Sequence, residues 1–150
     1  MLTMTYQSPI GPLYIAEQDG AITHLVFKPL AGQAGDTALL TRCREQMDAY
    51  FAGALQDFDL PLAPKGTAFQ ERVWQTLRTI PYGATWSYKM LAEAADCPRG
   101  YRAVGLANNK NPISILIPCH RVVGASGALT GYGGGLSNKE FLLKLEGRTP

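Results

Sequence analysis

Ser87-Tyr88-Lys89-Met90-Leu91-Ala92-Glu93-Ala94-Ala95-Asp96-Cys97-Pro98-Arg99-Gly100-Tyr101-Arg102-Ala103-Val104-Gly105-Leu106-Ala107-Asn108 is the stretch on which the fold turns. Ser87 can cap a short helix through Ala95, Pro98 breaks it, and a second helix runs from about Arg99 to Asn108. Cys97, beside Pro98, reads as part of that break. Two short helices around a tight break suit a helix-turn-helix. Helical hairpins that never touch DNA share this pattern, so the charge around it has to be weighed. Residues 1–62 hold three basic side chains against seven acidic ones, and residues 63–150 hold eleven against five. A basic half on an acidic one suits a DNA-facing subdomain on a supporting one, although many solvated surfaces are as lopsided.

Outward from that hairpin, Thr67 and Gln70 form a capping box for a helix bearing Phe69, Val73, Leu77 and Ile80. Asp57–Lys65, with Pro61 and Pro64, reads as a linker. Before it, residues 4–27 read as antiparallel strands with a tight turn at Asp19-Gly20, followed by a Gly/Ala-rich loop. Asp36 then caps a helix whose apolar positions include Leu40, Cys43, Met47 and Tyr50, ended by Gly53. Cys43 on that stripe reads as a small core residue, and His24 as a strand residue without ligand-like neighbours. On the other side, Ile113–Ile117 reads as a buried, extended run that ends at Pro118-Cys119-His120-Arg121 before Val122-Val123 resumes. Gly124–Gly135, centred on Tyr132, is a wing-like or substrate-lining loop. Ser137 and Glu140 make a second capping box, for a last helix closed by Gly147. Trp86 is either exposed beside the second half of the hairpin or packed beneath it.

The expected class is α+β. A small N-terminal antiparallel sheet-plus-helix subdomain (1–62) precedes a winged helix-turn-helix subdomain (63–150). Hydrophobic content of 46% with 17% charged residues fits a globular chain. No apolar stretch approaches the roughly 20 residues that span a bilayer, and Met1-Leu2-Thr3-Met4 lacks a signal-peptide layout. A cytoplasmic monomer is expected. Three cysteines at irregular spacing make neither a disulfide framework nor a metal pattern, so each is a thiol. Cys119 is the one beside a base, His120, with Glu146 a candidate to orient the imidazole; by pattern alone it is either a nucleophile or an inert buried thiol. Glu146 near a helix C-terminus is electrostatically unfavourable, which suggests a specific partner.

Asn111-Pro112-Ile113-Ser114-Ile115-Leu116-Ile117-Pro118-Cys119-His120-Arg121-Val122-Val123 resembles the active-site signature of the O6-alkylguanine-DNA alkyltransferases. The similarity runs back through Phe69–Trp74, Ile80–Gly83, Ser87-Tyr88 and Arg102–Gly105, and forward through Gly127, Gly131–Gly135, Lys139-Glu140 and Leu142-Leu143 to Glu146-Gly147. The first half resembles that family's supporting, ribonuclease-H-like domain only in outline, notably over Ser8–Leu13. The resemblance implies that Cys119 accepts an alkyl group from O6-alkylguanine in double-stranded DNA, and leaves open whether O4-methylthymine is a second substrate. His120 would deprotonate it through a water, Glu146 would hold His120, and Asn111 would brace the turn. Tyr132, Gly133, Gly134 and Val122 would line the pocket. Arg102 would fill the stack behind an everted nucleotide, and Tyr88, Lys89 and Ser87 would meet its backbone.

The resemblance further implies one repair per molecule and no cofactor, because the DNA itself donates the alkyl group. Some relatives bind zinc in the first domain; His24 and Cys43 are too few for a four-ligand site, so no metal is expected. Gly133 stands where some relatives have serine, which removes a side-chain donor. Two other readings stay in view. A damage-binding module of the same architecture would lack the acceptor cysteine, and a cysteine hydrolase would turn over and leave Arg102 without purpose.

Overall fold

The computed structural model describes residues 1–147; the end of the second subdomain at 150, and Arg148 in its basic count, lie outside the described residues. Strands β1 (Leu2–Ser8), β2 (Gly11–Gln18) and β3 (Ala21–Val26) form an antiparallel meander. Asp19 and Gly20 both take positive φ, 53° and 82°, as a two-residue turn matched to strand twist requires. Alternation sends Leu13 and Ile15 into the core, and a β-bulge at Thr23, opposite Ala16 and Glu17, lets both Ile22 and Leu25 join them; all four are fully buried. Within the Gly/Ala-rich stretch, β4 (Gln33–Ala34) adds parallel to β1, giving the order β3-β2-β1-β4. Two residues are too few to carry a periodic signal.

Helix α1 (Ala38–Phe51) buries Leu40, Cys43, Met47 and Tyr50. Its cap is Thr37, not Asp36: the Thr37 hydroxyl oxygen accepts from the Leu40 amide, while Asp36 only accepts from the Thr41 side chain. Thr37 also donates to Glu17 on β2, so the capping residue ties helix to sheet.

Residues 57–65 are more than a linker. The Ile22 amide donates to Pro61 O and the Ala63 amide to Ile22 O, a parallel bridge on the open edge of β3. Further along that edge, the Leu25 amide donates to Pro112 O and the Ser114 amide to Leu25 O. The edge strand is thereby covered, and the second segment covering it leads directly to Cys119.

In the basic half, the Thr67–Gln70 capping box opens α2 (Ala68–Leu77), which buries Val73, Trp74 and Leu77. Ser87 caps α3 (Tyr88–Ala94), and α4 follows at Tyr101–Asn109. The second helix starts two residues later than expected, because Gly100 is its cap and offers no side-chain bond. The Trp74 indole donates to Ala107 O at 2.8 Å, fixing α4 against α2. β5 (Trp86–Ser87) pairs parallel with β6 (Val122–Val123), and Trp86 is half-buried against the core beneath the helix pair. The last helix, α5 (Leu136–Leu145), begins after Gly135 at φ 93°, not at Ser137, which lies inside it. Only glycine takes that backbone angle at little cost, so the turn outranks the hydroxyl cap.

Candidate active site

The largest departure from the sequence reading sits where the chemistry is. Ile113–Ile117 is buried but forms no strand. The Leu116 amide donates to Ser114 O at 2.8 Å across Ile115, whose φ is 72°. This is a γ-turn around a left-handed, β-branched residue, a conformation that costs on the order of 1–3 kcal/mol. The Cys119 amide then donates to Ile117 O at 2.8 Å across Pro118 (φ −80°, ψ 63°), an inverse γ-turn. Asn111 spans both turns: its amide nitrogen donates to Ile117 O at 2.8 Å, and its amide oxygen accepts from the Ile113 amide at 3.0 Å. Apolar, β-branched composition signals burial; it carries no trace of a backbone held by one asparagine.

Cys119, His120 and Arg121 form a single 3₁₀ turn, and all three are buried. His120 Nε2 donates to Glu146 Oε2 at 2.8 Å, leaving Nδ1 buried without a hydrogen-bond partner among the described residues. That bond makes Nδ1 the acceptor nitrogen. Glu146 also accepts from Arg121 Nε (2.8 Å) and Nη2 (3.1 Å), and from the Tyr50 hydroxyl at 2.6 Å. Arg121 in turn donates to Ile80 O and lies over the Tyr82 ring. Burial alone would raise the Glu146 carboxyl; the bonds and charges of His120 and Arg121 outweigh it and hold the group down at about 2. Burial, aided by the Arg121 and Lys139 charges, lowers His120 despite Glu146, so the resting imidazole is neutral.

Burial also raises the Cys119 thiol, against the lowering influence of Asn111, the Lys139 ammonium, its own backbone amide and Ser114. The resting sulfur is a thiol that its surroundings are arranged to ionise. Lys139 Nζ donates to Val122 O at 2.6 Å and Thr130 O at 2.7 Å, with burial bringing it down to about 8.

Cys119 borders a cavity of about 340 Å³ together with Asn111, Ser114, Tyr132, Gly133 and Asn109. The Tyr132 hydroxyl is buried without a hydrogen bond among the described residues. Burial first, and then Cys119, push it well above the ordinary phenol range, so it stays protonated. Cys119, Asn111, Tyr132 and Gly133 thus meet at one cavity, while His120, the next residue in the chain, is fully buried and bonded to Glu146. Val122 and Gly134 stand elsewhere: the Val122 carbonyl is taken by Lys139, and Gly134 faces the Phe27 ring. Arg102 and Tyr88 border a separate, shallower groove on α4, with Leu106, Asn109 and Gly131. Asn109 belongs to both concavities. Tyr88 and Thr130 share a hydroxyl hydrogen bond at 2.8 Å, the Ser87 hydroxyl accepts from the Met90 amide, and Lys89 is exposed.

Sequence reasoning missed Arg121, Tyr50, Lys139 and Phe27. For Lys139 a signal existed: with Leu142, Leu143 and Glu146 it makes an i, i+3, i+4, i+7 stripe, so a lysine and a glutamate both lie on a buried face. Tyr50 reaches Glu146 from 96 residues away, and no local pattern announces that.

Comparison with known proteins agrees across the chain. Residues 1–64 match the 6-O-methylguanine DNA methyltransferase, ribonuclease-like domain, and residues 68–148 match the DNA binding domain of the same proteins. The methylated-DNA–protein-cysteine methyltransferase of Methanosarcina barkeri is 50% identical over 147 residues, covering 93% of each chain. That of Mycolicibacterium paratuberculosis is 50% identical over 150 residues, covering 96% of this chain and 91% of its own. The crystal structure of Mycobacterium tuberculosis OGT in complex with DNA superimposes with a TM-score of 0.91 at 47% identity, covering 100% of this chain and 96% of that one. Among the described residues no helix is long and apolar enough to cross a membrane. With both halves matched in order, this chain belongs to the 6-O-methylguanine DNA methyltransferase family.

Proposed function

We propose that this chain repairs DNA by moving the alkyl group of O6-alkylguanine onto Cys119, once per molecule. The observation that carries the reading is a thiol at the wall of a cavity, backed by a histidine whose outer nitrogen is bonded to a buried carboxylate. An alkyl group on a base edge is shielded by stacking, so the nucleotide must rotate out of the duplex, at a cost of a few kcal/mol. Arg102, exposed on α4, fills the gap it leaves, while Tyr88, Lys89 and Ser87 meet the backbone beside it. Inside the cavity His120 Nδ1 takes the thiol proton through one water, and the Lys139 charge favours the resulting thiolate. A sulfur–carbon bond forms as the carbon–O6 bond breaks. The purine leaves as neutral guanine, so the net change moves the alkyl group to sulfur and the thiol proton to guanine. Tyr132, still protonated, and the Gly133 amide supply hydrogen bonds to the departing base. The chain acts as a cytoplasmic monomer on double-stranded DNA.

The test is to incubate the protein with a duplex oligonucleotide carrying O6-methylguanine and weigh it intact. One added methyl on Cys119, saturating at one equivalent, is the expected result. Binding without mass gain would favour a damage-recognition module, and repeated turnover of an ester or amide a hydrolase. Arg102→Ala is expected to slow repair in duplex DNA by roughly 10- to 100-fold, the equivalent of a few kcal/mol of lost stack compensation. Reaction with free O6-benzylguanine should barely change. Equal losses on both substrates would remove Arg102 from the stack-filling role.

A further inference from the structure

The helix-turn-helix half supplies the nucleophile, its relay and the polar wall of the cavity, but not the wall opposite. That wall comes from the end of β3 and the residues after it, Val26, Phe27, Pro29 and Leu30. Asn109, Asn111 and Ser114 are polar members of the lining, and the exposed Lys28 also borders the cavity; the rest of this wall is apolar. Its large side chain is Phe27, which meets the Tyr132 ring edge-on with centroids 5.7 Å apart. A Cβ at Gly134 would collide with the Phe27 ring, so the glycine loop lies flat on it. Gly133, by contrast, has open space where a side chain would project, so it places no limit on what enters.

We infer that Phe27, contributed by the N-terminal sheet, is a specificity-determining residue that sets the size of the alkyl group this cavity accepts. The inference rests on the alkyl-transfer reading above. In a displacement at carbon, sulfur, carbon and O6 are in line, and any substituent on that carbon projects sideways from the axis. A methyl group has no such substituent; a benzyl group carries a whole ring. On the polar wall Asn111 is already committed to the Cys119 turn, and Gly133 is bare. The substituent's room therefore depends on the apolar wall, in which Phe27 is the one aromatic side chain. Because β3 also carries the Leu25 bonds to Pro112 and Ser114, this wall is held in register with the turn that bears the sulfur.

The test compares transfer rates from two duplex oligonucleotides, one with O6-methylguanine and one with O6-benzylguanine, in the full-length protein. Phe27→Ala is expected to raise the benzyl-to-methyl rate ratio by roughly 10-fold or more, in the range by which apolar pockets discriminate size. Phe27→Leu should raise it less, and Phe27→Trp should lower it, which keeps the inference open to refutation if the alanine variant folds poorly. An unmoved ratio with both rates falling together would make Phe27 a mere prop for the glycine loop and overturn the assignment, as would a ratio that falls in Phe27→Ala. A wild-type protein inert on both oligonucleotides would instead overturn the alkyl-transfer reading, and this inference with it.

Discussion

Cys119→Ser is expected to abolish the mass gain, lowering transfer by at least roughly 10⁴-fold, while affinity for duplex DNA carrying O6-methylguanine stays close to wild type. The substitution removes one polarisable atom from a cavity wall and leaves the braces intact. Asn111 bonds Ile117 O and the Ile113 amide, and the residue 119 amide still reaches Ile117 O. What changes is the nucleophile. Asn111, Lys139 and Ser114 offset part of the rise that burial imposes on the thiol, and so limit how far it stands from the reach of a histidine base. A hydroxyl starts several pKa units higher and lies beyond that reach. Intact-mass analysis and a binding titration on one preparation check both halves. A serine variant that still gains a methyl would place the acceptor elsewhere, on Cys43 or Cys97. Cys43 is fully buried in α1, where burial pushes its thiol up to about 12, so it is a poor candidate.

Glu146→Gln is expected to cost about 3 kcal/mol of stability at neutral pH, a fall in Tm of roughly 10 °C, and to slow transfer by roughly 100-fold. The carboxylate receives His120, two nitrogens of Arg121 and the Tyr50 hydroxyl, and three of those four bonds converge on Oε2. Glutamine would set an amide N–H against one of these donors and leave the buried Arg121 charge unpaired. The pH dependence has a definite sign. In the unfolded chain this carboxyl titrates at its ordinary value near 4.5, and in the folded protein near 2. Its contribution is therefore fully present above about 4.5 and disappears as pH falls through 2. His120, kept neutral by burial, adds an acid-side loss that begins nearer its ordinary value of 6.5. The wild type should lose stability steeply on acidification, and the glutamine variant should lose its share only over the histidine range. Thermal melts of both proteins between pH 3 and 8 measure this. Parallel curves would mean that Glu146 carries no depressed titration.

Much of this was legible in the sequence, and the remainder failed for identifiable reasons. The helix pair, the Thr67–Gln70 capping box, the Ser87 cap and the Asp19-Gly20 turn are local, each decided by residues within a turn of one another. Asp36 and Ser137 failed as caps because a neighbour won: Thr37 gains a second bond to Glu17, and Gly135 takes a backbone angle that a serine start does not need. Ile113–Ile117 failed because burial and strand geometry share one composition, and only the bonds to Asn111 and Leu25 distinguish them. At the site, the order Pro-Cys-His-Arg drew attention to Cys119 and His120 at once. Arg121 lies in the same run, but nothing local shows its bonds to Glu146 and Ile80 O, and Tyr50 and Phe27 come from the half that looked chemically silent.

The bond from Tyr50 to Glu146 joins residues 96 positions apart in a chain of 150. A chain emerging from a ribosome with its last helix still unmade carries Cys119 with neither a carboxylate to orient His120 nor Lys139 to favour the anion. Its sulfhydryl is an ordinary one. Competence to accept an alkyl group is thus acquired only once α5 has formed, which spares a molecule that can react once from spending that reaction before it can hold DNA.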